Sequence, residues 1–262
     1  MLRIGLIMLS VSVPLFAFLR TASAADPWQD AYQAKTYRDA AGQALPYRLL
    51  RPEKVEPGKS YPLVLFMHGA GERGTDNALQ LVYFAAEFVK PENRQKYPCF
   101  VVSPQCPAEY RWVEVDWGLP SHAMPEKPSV PLKLALELVE QLAAELPVDK
   151  GRIYVTGLSM GGFGAWDAVQ RRPQFFAAAV PICGGGDTAQ APKLKDLPIW
   201  AFHGDKDTTV SPRRTTTMIE AIRQAGGTTK MTIYPGVDHD CWTRTYADPD
   251  VLAWLFAQKK PG

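Results

Sequence analysis

The chain has 262 residues, 46% hydrophobic and 21% charged, with 20 glycines and 23 prolines, a globular composition that excludes a disordered or collagen-like polypeptide. Its formal net charge is +2, and without Arg3 and Arg20 near the start the remainder holds 27 basic and 27 acidic residues. That balance gives no electrostatic footprint for nucleic acid or an acidic membrane, and no repeat of about 20 to 50 residues marks a solenoid or propeller.

Residues 1–24 carry Arg3, an apolar run from Ile4 to Leu19, and Ala22-Ser23-Ala24, the small-x-small pattern of a signal-peptidase site. The run is shorter than the roughly 20 residues that span a bilayer, and Pro14 interrupts it. The expectation is a cleaved signal peptide and a mature chain from Ala25, secreted or periplasmic, with no membrane anchor after cleavage. Residues 25–262 read as a single domain.

Tyr32–Tyr37 and Leu45–Arg51, around the turn Asp39-Ala40-Ala41-Gly42, predict an antiparallel edge hairpin. Six short apolar runs follow: Leu63–Met67, Phe100–Val102, Ile153–Val155, Phe176–Ile182, Ile199–Phe202 and Met231–Tyr234. Their near-continuous hydrophobicity is the pattern of strands buried on both faces. Helical patterns lie at Val130–Leu146, capped by Ser129 with Pro131 in the first turn, and at Met160–Arg171, Ser211–Ala225 and Pro249–Ala257. The alternation predicts an α/β fold: a mostly parallel central sheet of about eight strands with helices on both faces. Residues 104–128 break it, with prolines at 104, 107, 120, 125 and 128 and no period. A loop of that length is commonly functional, and Trp112 and Trp117 argue that it is ordered.

The sharpest motif is Gly157-Leu158-Ser159-Met160-Gly161, directly after one predicted strand and before a predicted helix. In that context G-x-S-x-G is a nucleophile elbow, whose glycines let the backbone reverse tightly and leave the serine hydroxyl exposed. A serine hydroxyl needs a base to take its proton and a third group to orient the base, in the chain order Ser, acid, His. His68 and His122 precede Ser159, and His203 precedes its neighbouring acids, which leaves His239 as base. Asp207 is favoured as the acid because Val210 can then return the chain to the core. Asp205 more naturally closes its own turn, and Asp238 and Asp240 flank the base. An oxyanion needs backbone donors: Met160 N–H supplies one, and Ala70 in His68-Gly69-Ala70-Gly71 the other, with Gly71 behind it and His68 stabilising the turn.

With these residues assembled, the chain resembles the α/β-hydrolase superfamily. Within it, the chain is similar to exported esterases related to prolyl oligopeptidases, dienelactone hydrolases and polyhydroxybutyrate depolymerases. The resemblance rests on residues 61–74, 104–107 and 152–167 and on the Asp207 and His239 loops. It implies an α/β-hydrolase fold and a serine hydrolase with no cofactor and no metal, acting through Ser159, Asp207 and His239. Its substrates would be small-molecule or polymer-linked carboxylic esters, short-chain or aryl and carbohydrate-linked such as feruloyl or acetyl esters. A peptidase or polyester depolymerase on the same residues is the alternative, ranked lower because residues 25–262 contain no segment of propeller length. A non-catalytic envelope-binding protein ranks last.

On the substrate side, loop 104–128 leaves the C-terminal end of a strand, where ligands bind in open α/β sheets. Tyr110, Trp112 and Trp117 therefore either line an acyl or aryl pocket or anchor the loop, Trp242 either walls the site or fills the core, and Glu72 and Arg73 either meet a polar substrate or form surface pairs. Of the four cysteines, Cys99 and Cys106 sit at opposite ends of a strand, about 20 Å apart and beyond disulfide reach. Cys183 could pair with Cys241, or either with Cys106, but buried free thiols are preferred.

Overall fold

The computed structural model describes residues 27–260, so the expected leader lies outside the described residues. Its sheet starts with a hairpin of β1 (Gln33–Arg38) and β2 (Ala44–Leu50), paired antiparallel from Gln33 opposite Leu49 to Arg38 opposite Ala44. The turn closes because the Asp39 carboxylate accepts the Ala41 and Gln43 N–H groups and Gly42 takes a φ of 82°, left-handed backbone that favours glycine.

Six further strands follow: β3 (Tyr61–Met67), β4 (Phe100–Pro104), β5 (Val148–Leu158), β6 (Ala178–Ile182), β7 (Trp200–Gly204) and β8 (Lys230–Tyr234). The eight form one sheet in the order β1-β2-β4-β3-β5-β6-β7-β8. β2 runs antiparallel to β4, and every pairing from β4 through β8 is parallel. Parallel strands need crossovers, supplied here mainly by α1 (Pro91–Lys96), α2 (Val130–Glu145), α3 (Met160–Arg171) and α4 (Arg213–Gln224), while α5 (Trp242–Ala247) and α6 (Pro249–Ala257) close the chain.

Successive strand residues face opposite sides of the sheet, and both sides are dry. Leu63, Leu65 and Met67 join one core with the apolar residues of α2, α3 and α4, whereas Val64 and Phe66 join a second core with residues 81–88 and α6. Phe66 packs 4.9 Å from the Phe84 ring and 6.0 Å from Tyr246. Truncating such a side chain to alanine costs about 3–5 kcal/mol.

The hairpin, the six buried runs and the four helices fall where the sequence places them, with shifts at their ends. β5 begins at Val148 because Val148 pairs with Tyr61 across a register shift. β6 begins at Ala178, after Phe175 and Phe176 pack edge to face in a turn. The short α1 and α5 and the 3-10 turns at Ala70–Glu72, Leu79–Leu81 and Ala85–Val89 were not predicted, being too brief for a helical period to register. No helix among the described residues is long and apolar enough to cross a membrane. All four cysteines are buried and free.

Candidate active site

β5 ends at Leu158, α3 begins at Met160, and Ser159 between them has φ 53° and ψ −118°, a conformation that costs a non-glycine residue about 1–3 kcal/mol. It is held by the Ser159 N–H donating to Ile182 O at 3.0 Å and by Ser159 O accepting from Phe163 N–H at 3.1 Å. The glycines permit the elbow: a Cβ on Gly157 would collide with the Gly161 carbonyl, one on Gly161 with the Met67 carbonyl, and one on Gly162 with the Ile182 carbonyl.

Three residues distant in sequence meet at this edge of the sheet. Ser159 Oγ lies 2.9 Å from His239 Nε2, and His239 Nδ1 lies 2.7 Å from Asp207 Oδ2. Parallel strands bring their C-terminal ends to one side, so the loops after β5, β7 and β8 converge there. Asp207 can only accept, so His239 Nδ1–H donates to it and the Nε2 lone pair faces the serine hydroxyl. Asp205 does not close its own turn but accepts the Gly236 N–H at 2.7 Å, tying that turn to the one after β8. Asp238 ties the two loops together, taking the Thr208 and His239 N–H groups.

Asp207 takes four hydrogen bonds. Oδ1 accepts from Thr209 and Val210 N–H at 2.9 and 2.8 Å, and Oδ2 accepts from His239 and from His203 Nε2 at 3.0 Å. Burial pushes its carboxyl up, but the bonds from His203, His239 and the Val210 N–H outweigh burial and hold it well below the usual carboxylate range. His203 is fully buried, and its Nε2 faces two acceptors, Asp207 Oδ2 and Val210 O at 2.9 Å, so that nitrogen carries a proton. Its place in the network was missed because chain order excludes it as the base. The available signal was a histidine four residues before the acid at the end of a strand.

Met160 and Ala70 each open a helical turn, where first-turn N–H groups have no intrahelical partner. The backbone at Gly69 lies against Leu158 and that of Met67 and His68 against Gly161, which sets the Ala70 turn beside the elbow. Several side chains fix it. His68 Nδ1–H donates to Gly69 O at 2.6 Å, its Nε2 accepts the Cys106 N–H at 2.9 Å, and burial lowers its pKa to about 4, keeping it neutral. Arg73 donates to Ala70 O and Ala108 O. The Glu72 carboxyl, pushed up by burial, lies beside Gly69 with its Oε2 buried and unpartnered. Arg73 is thus engaged by the loop itself.

Residues 105–128 contain no helix or strand, yet the loop is pinned. Trp112 is fully buried and donates its indole N–H to His68 O at 3.1 Å, so it supports the turn from below and does not line a pocket as one of its two sequence readings had it. Tyr110 and Trp117 are half-buried, with Trp117 under the Arg111 guanidinium at 4.4 Å. Arg214 of α4, fully buried, bonds His122 Nδ1 and Asp116 O at 2.6 and 2.7 Å and covers the Phe163 ring. Burial, followed by the Arg214 charge, lowers His122 to about 4. Trp242 meets the His239 ring edge-on at 5.1 Å. Ligating atoms of Cys183, Asp207 and His239 lie within 4.8 Å of one another, but the Asp207 and His239 atoms are spent on each other and on Ser159, and burial holds the Cys183 thiol protonated.

The fold is shared with a thermostable esterase of known crystal structure, 39% identical, with a TM-score of 0.83 over 89% of this chain and 64% of that one. The chain is an α/β-hydrolase. Residues 127–250 of this α/β-hydrolase, which contain Ser159, Asp207 and His239, match the sequence profile of the dienelactone hydrolase family. A stretch of 135 residues is 29% identical to poly(3-hydroxyalkanoate) depolymerase C of Paucimonas lemoignei, covering 39% of this chain and 30% of the depolymerase. A puromycin hydrolase shares the fold at 16% identity and a TM-score of 0.64, over 89% of this chain and 40% of its own. The α/β-hydrolase therefore spans just under two thirds of the esterase and less than one third of the depolymerase.

Proposed function

We propose that this α/β-hydrolase is a serine esterase that cleaves carboxylic esters through an acyl-enzyme. The observation that carries the reading is the unbroken hydrogen-bond chain from Ser159 Oγ through His239 to Asp207. Ser159 Oγ attacks the ester carbonyl as His239 Nε2 takes its proton, and Asp207 stabilises the imidazolium. The oxyanion is held by the N–H groups of Met160 and Ala70, where loss of one donor typically costs about 10²–10³ in rate. His239 then returns the proton to the departing alcohol, and water activated by the same imidazole releases the acid.

Ester rather than amide substrates are favoured by the 39% identical esterase and by the polyester depolymerase segment. The puromycin hydrolase structure is too remote in sequence to speak for more than the fold. The leader read in residues 1–24 would deliver the activity to a periplasm or the exterior.

The test is a panel of p-nitrophenyl acetate, butyrate and octanoate, methyl ferulate and aminoacyl p-nitroanilides, run on wild type and Ser159→Ala. Ester turnover that is lost in the variant supports the reading. Anilide turnover matching the esters would make the protein a peptidase, and equal rates for wild type and variant would remove Ser159 from the reaction.

A further inference from the structure

Residues 79–89, between β3 and β4, have two apolar faces where a surface helical segment normally has one. Leu81, Phe84, Ala85 and Phe88, at i, i+3, i+4 and i+7, are buried against the sheet, with the Phe84 ring 4.5 Å from Tyr246. The opposite face sets Leu79, Val82 and Tyr83, at i, i+3 and i+4, in solvent at 42%, 47% and 36% exposure. They are three of the five exposed large hydrophobic residues among the described residues, so the apolar surface is concentrated on this segment. Contiguous apolar surface on a folded chain marks a binding site more often than chance.

The position of this face identifies its occupant. The Tyr83 ring lies 5.6 Å from Trp242, and Trp242 lies 5.1 Å from His239. Trp242 is 9% exposed, so Tyr83 is the solvent-facing end of a row of edge-on aromatic contacts that starts at the imidazole facing Ser159. Glu72 and Asp240 lie close enough to Tyr83 to add to the effect of burial in raising its phenol, and their charge disfavours an anionic ligand beside the row. A neutral, apolar group attached to a carbonyl at Ser159 would continue onto Leu79, Val82 and Tyr83.

We propose that Leu79, Val82 and Tyr83 form an open shelf that binds the large apolar part of the ester, so that the preferred substrates are neutral esters with an aryl or extended chain. This rests on the esterase reading above. An open shelf suits an extended or polymer-attached chain because nothing has to enclose its far end.

The experiment compares kcat/KM, followed by acid release, on ethyl acetate, ethyl octanoate, ethyl benzoate and octyl acetate for wild type, Tyr83→Ala and the double variant Leu79→Ser/Val82→Ser, with ethyl acetate as the small ester. All three residues are solvent-exposed, and thermal melts check that the variants remain folded. The expected result is ethyl acetate turnover within about 2-fold of wild type and a loss of about 10-fold or more on at least one large ester, the octanoate and octyl arms separating acyl from alcohol binding. Equal loss on every ester, or no loss on any, overturns the shelf while ethyl acetate turnover leaves the esterase standing. Failure of wild type on all four esters rejects the esterase and the shelf with it. A wild-type dimer that the double variant converts to monomer, with the ester profile unchanged, would assign the face to a second copy of the chain and overturn the proposal.

Discussion

His203 Nε2 lies 3.0 Å from Asp207 Oδ2, the same oxygen that His239 Nδ1 reaches at 2.7 Å. One carboxylate oxygen thus holds the half-buried imidazole in front and is braced by a fully buried imidazole behind. The brace is anchored in turn, since the Thr215 hydroxyl lies within hydrogen-bond reach of His203 Nδ1 at 2.8 Å and of Gly184 O at 3.0 Å. His203→Ala should lower stability by about 1.5–3 kcal/mol, the range for a hydrogen bond to a charged group, and should lower kcat with little change in KM. Urea unfolding and steady-state kinetics on one preparation check both. A raised KM at unchanged kcat would point to a substrate contact instead.

Two histidines set the acid limb of stability. An unfolded histidine takes a proton near pH 6.5, whereas burial pushes His68 and His122 down to about 4. Between those values the unfolded chain binds more protons, so this stability is complete above about pH 6.5 and is lost as the pH falls toward 4. For the fully buried His68 the loss amounts to about 3 kcal/mol. Asp207, whose folded pKa is depressed, adds a second loss that begins only below about pH 4. Urea midpoints between pH 4 and 8 should show the first slope, and His122→Asn should shallow it.

Two glycines near the elbow should respond in opposite ways to alanine. A Cβ on Gly161 would collide with the Met67 carbonyl, whereas one on Gly71 meets nothing within 4 Å. Gly161→Ala should destabilise by about 3 kcal/mol or more by forcing α3 away from β3, and Gly71→Ala should change stability by less than about 0.5 kcal/mol. Thermal melts of the two variants make the comparison.

Arg214 should govern loop order more than global stability. Its guanidinium bonds His122 and Asp116 O, and no carboxylate lies within salt-bridge distance among the described residues. Replacing an uncompensated buried charge by an apolar side chain relieves desolvation. Arg214→Met should therefore shift the melting temperature little while cleavage within residues 116–122 accelerates under limited proteolysis. Unchanged proteolysis would contradict the clamp.

The sheet was legible because buried parallel strands show as unbroken apolar runs, from Leu63–Met67 through Met231–Tyr234. The elbow and its partners were legible because chain order and strand ends restrict which serine, acid and histidine can meet. What escaped notice was set by tertiary contact. Residues 70–89 fold into 3-10 turns with no period of their own, and the exposure of Leu79, Val82 and Tyr83 depends on which face the sheet takes. His203 was passed over because it is excluded as base, although its ring faces the back of Asp207. Trp112 suggested a pocket wall as readily as an anchor, and only its bond to His68 O separates the two.

The most direct measurement is the intact mass of wild type and Ser159→Ala after reaction with a fluorophosphonate, followed by peptide mapping. The account predicts a single adduct on wild type at Ser159, with loss of ester turnover in proportion to labelling, and no adduct on the variant. Labelling elsewhere, or full ester turnover by an enzyme labelled at Ser159, would contradict it.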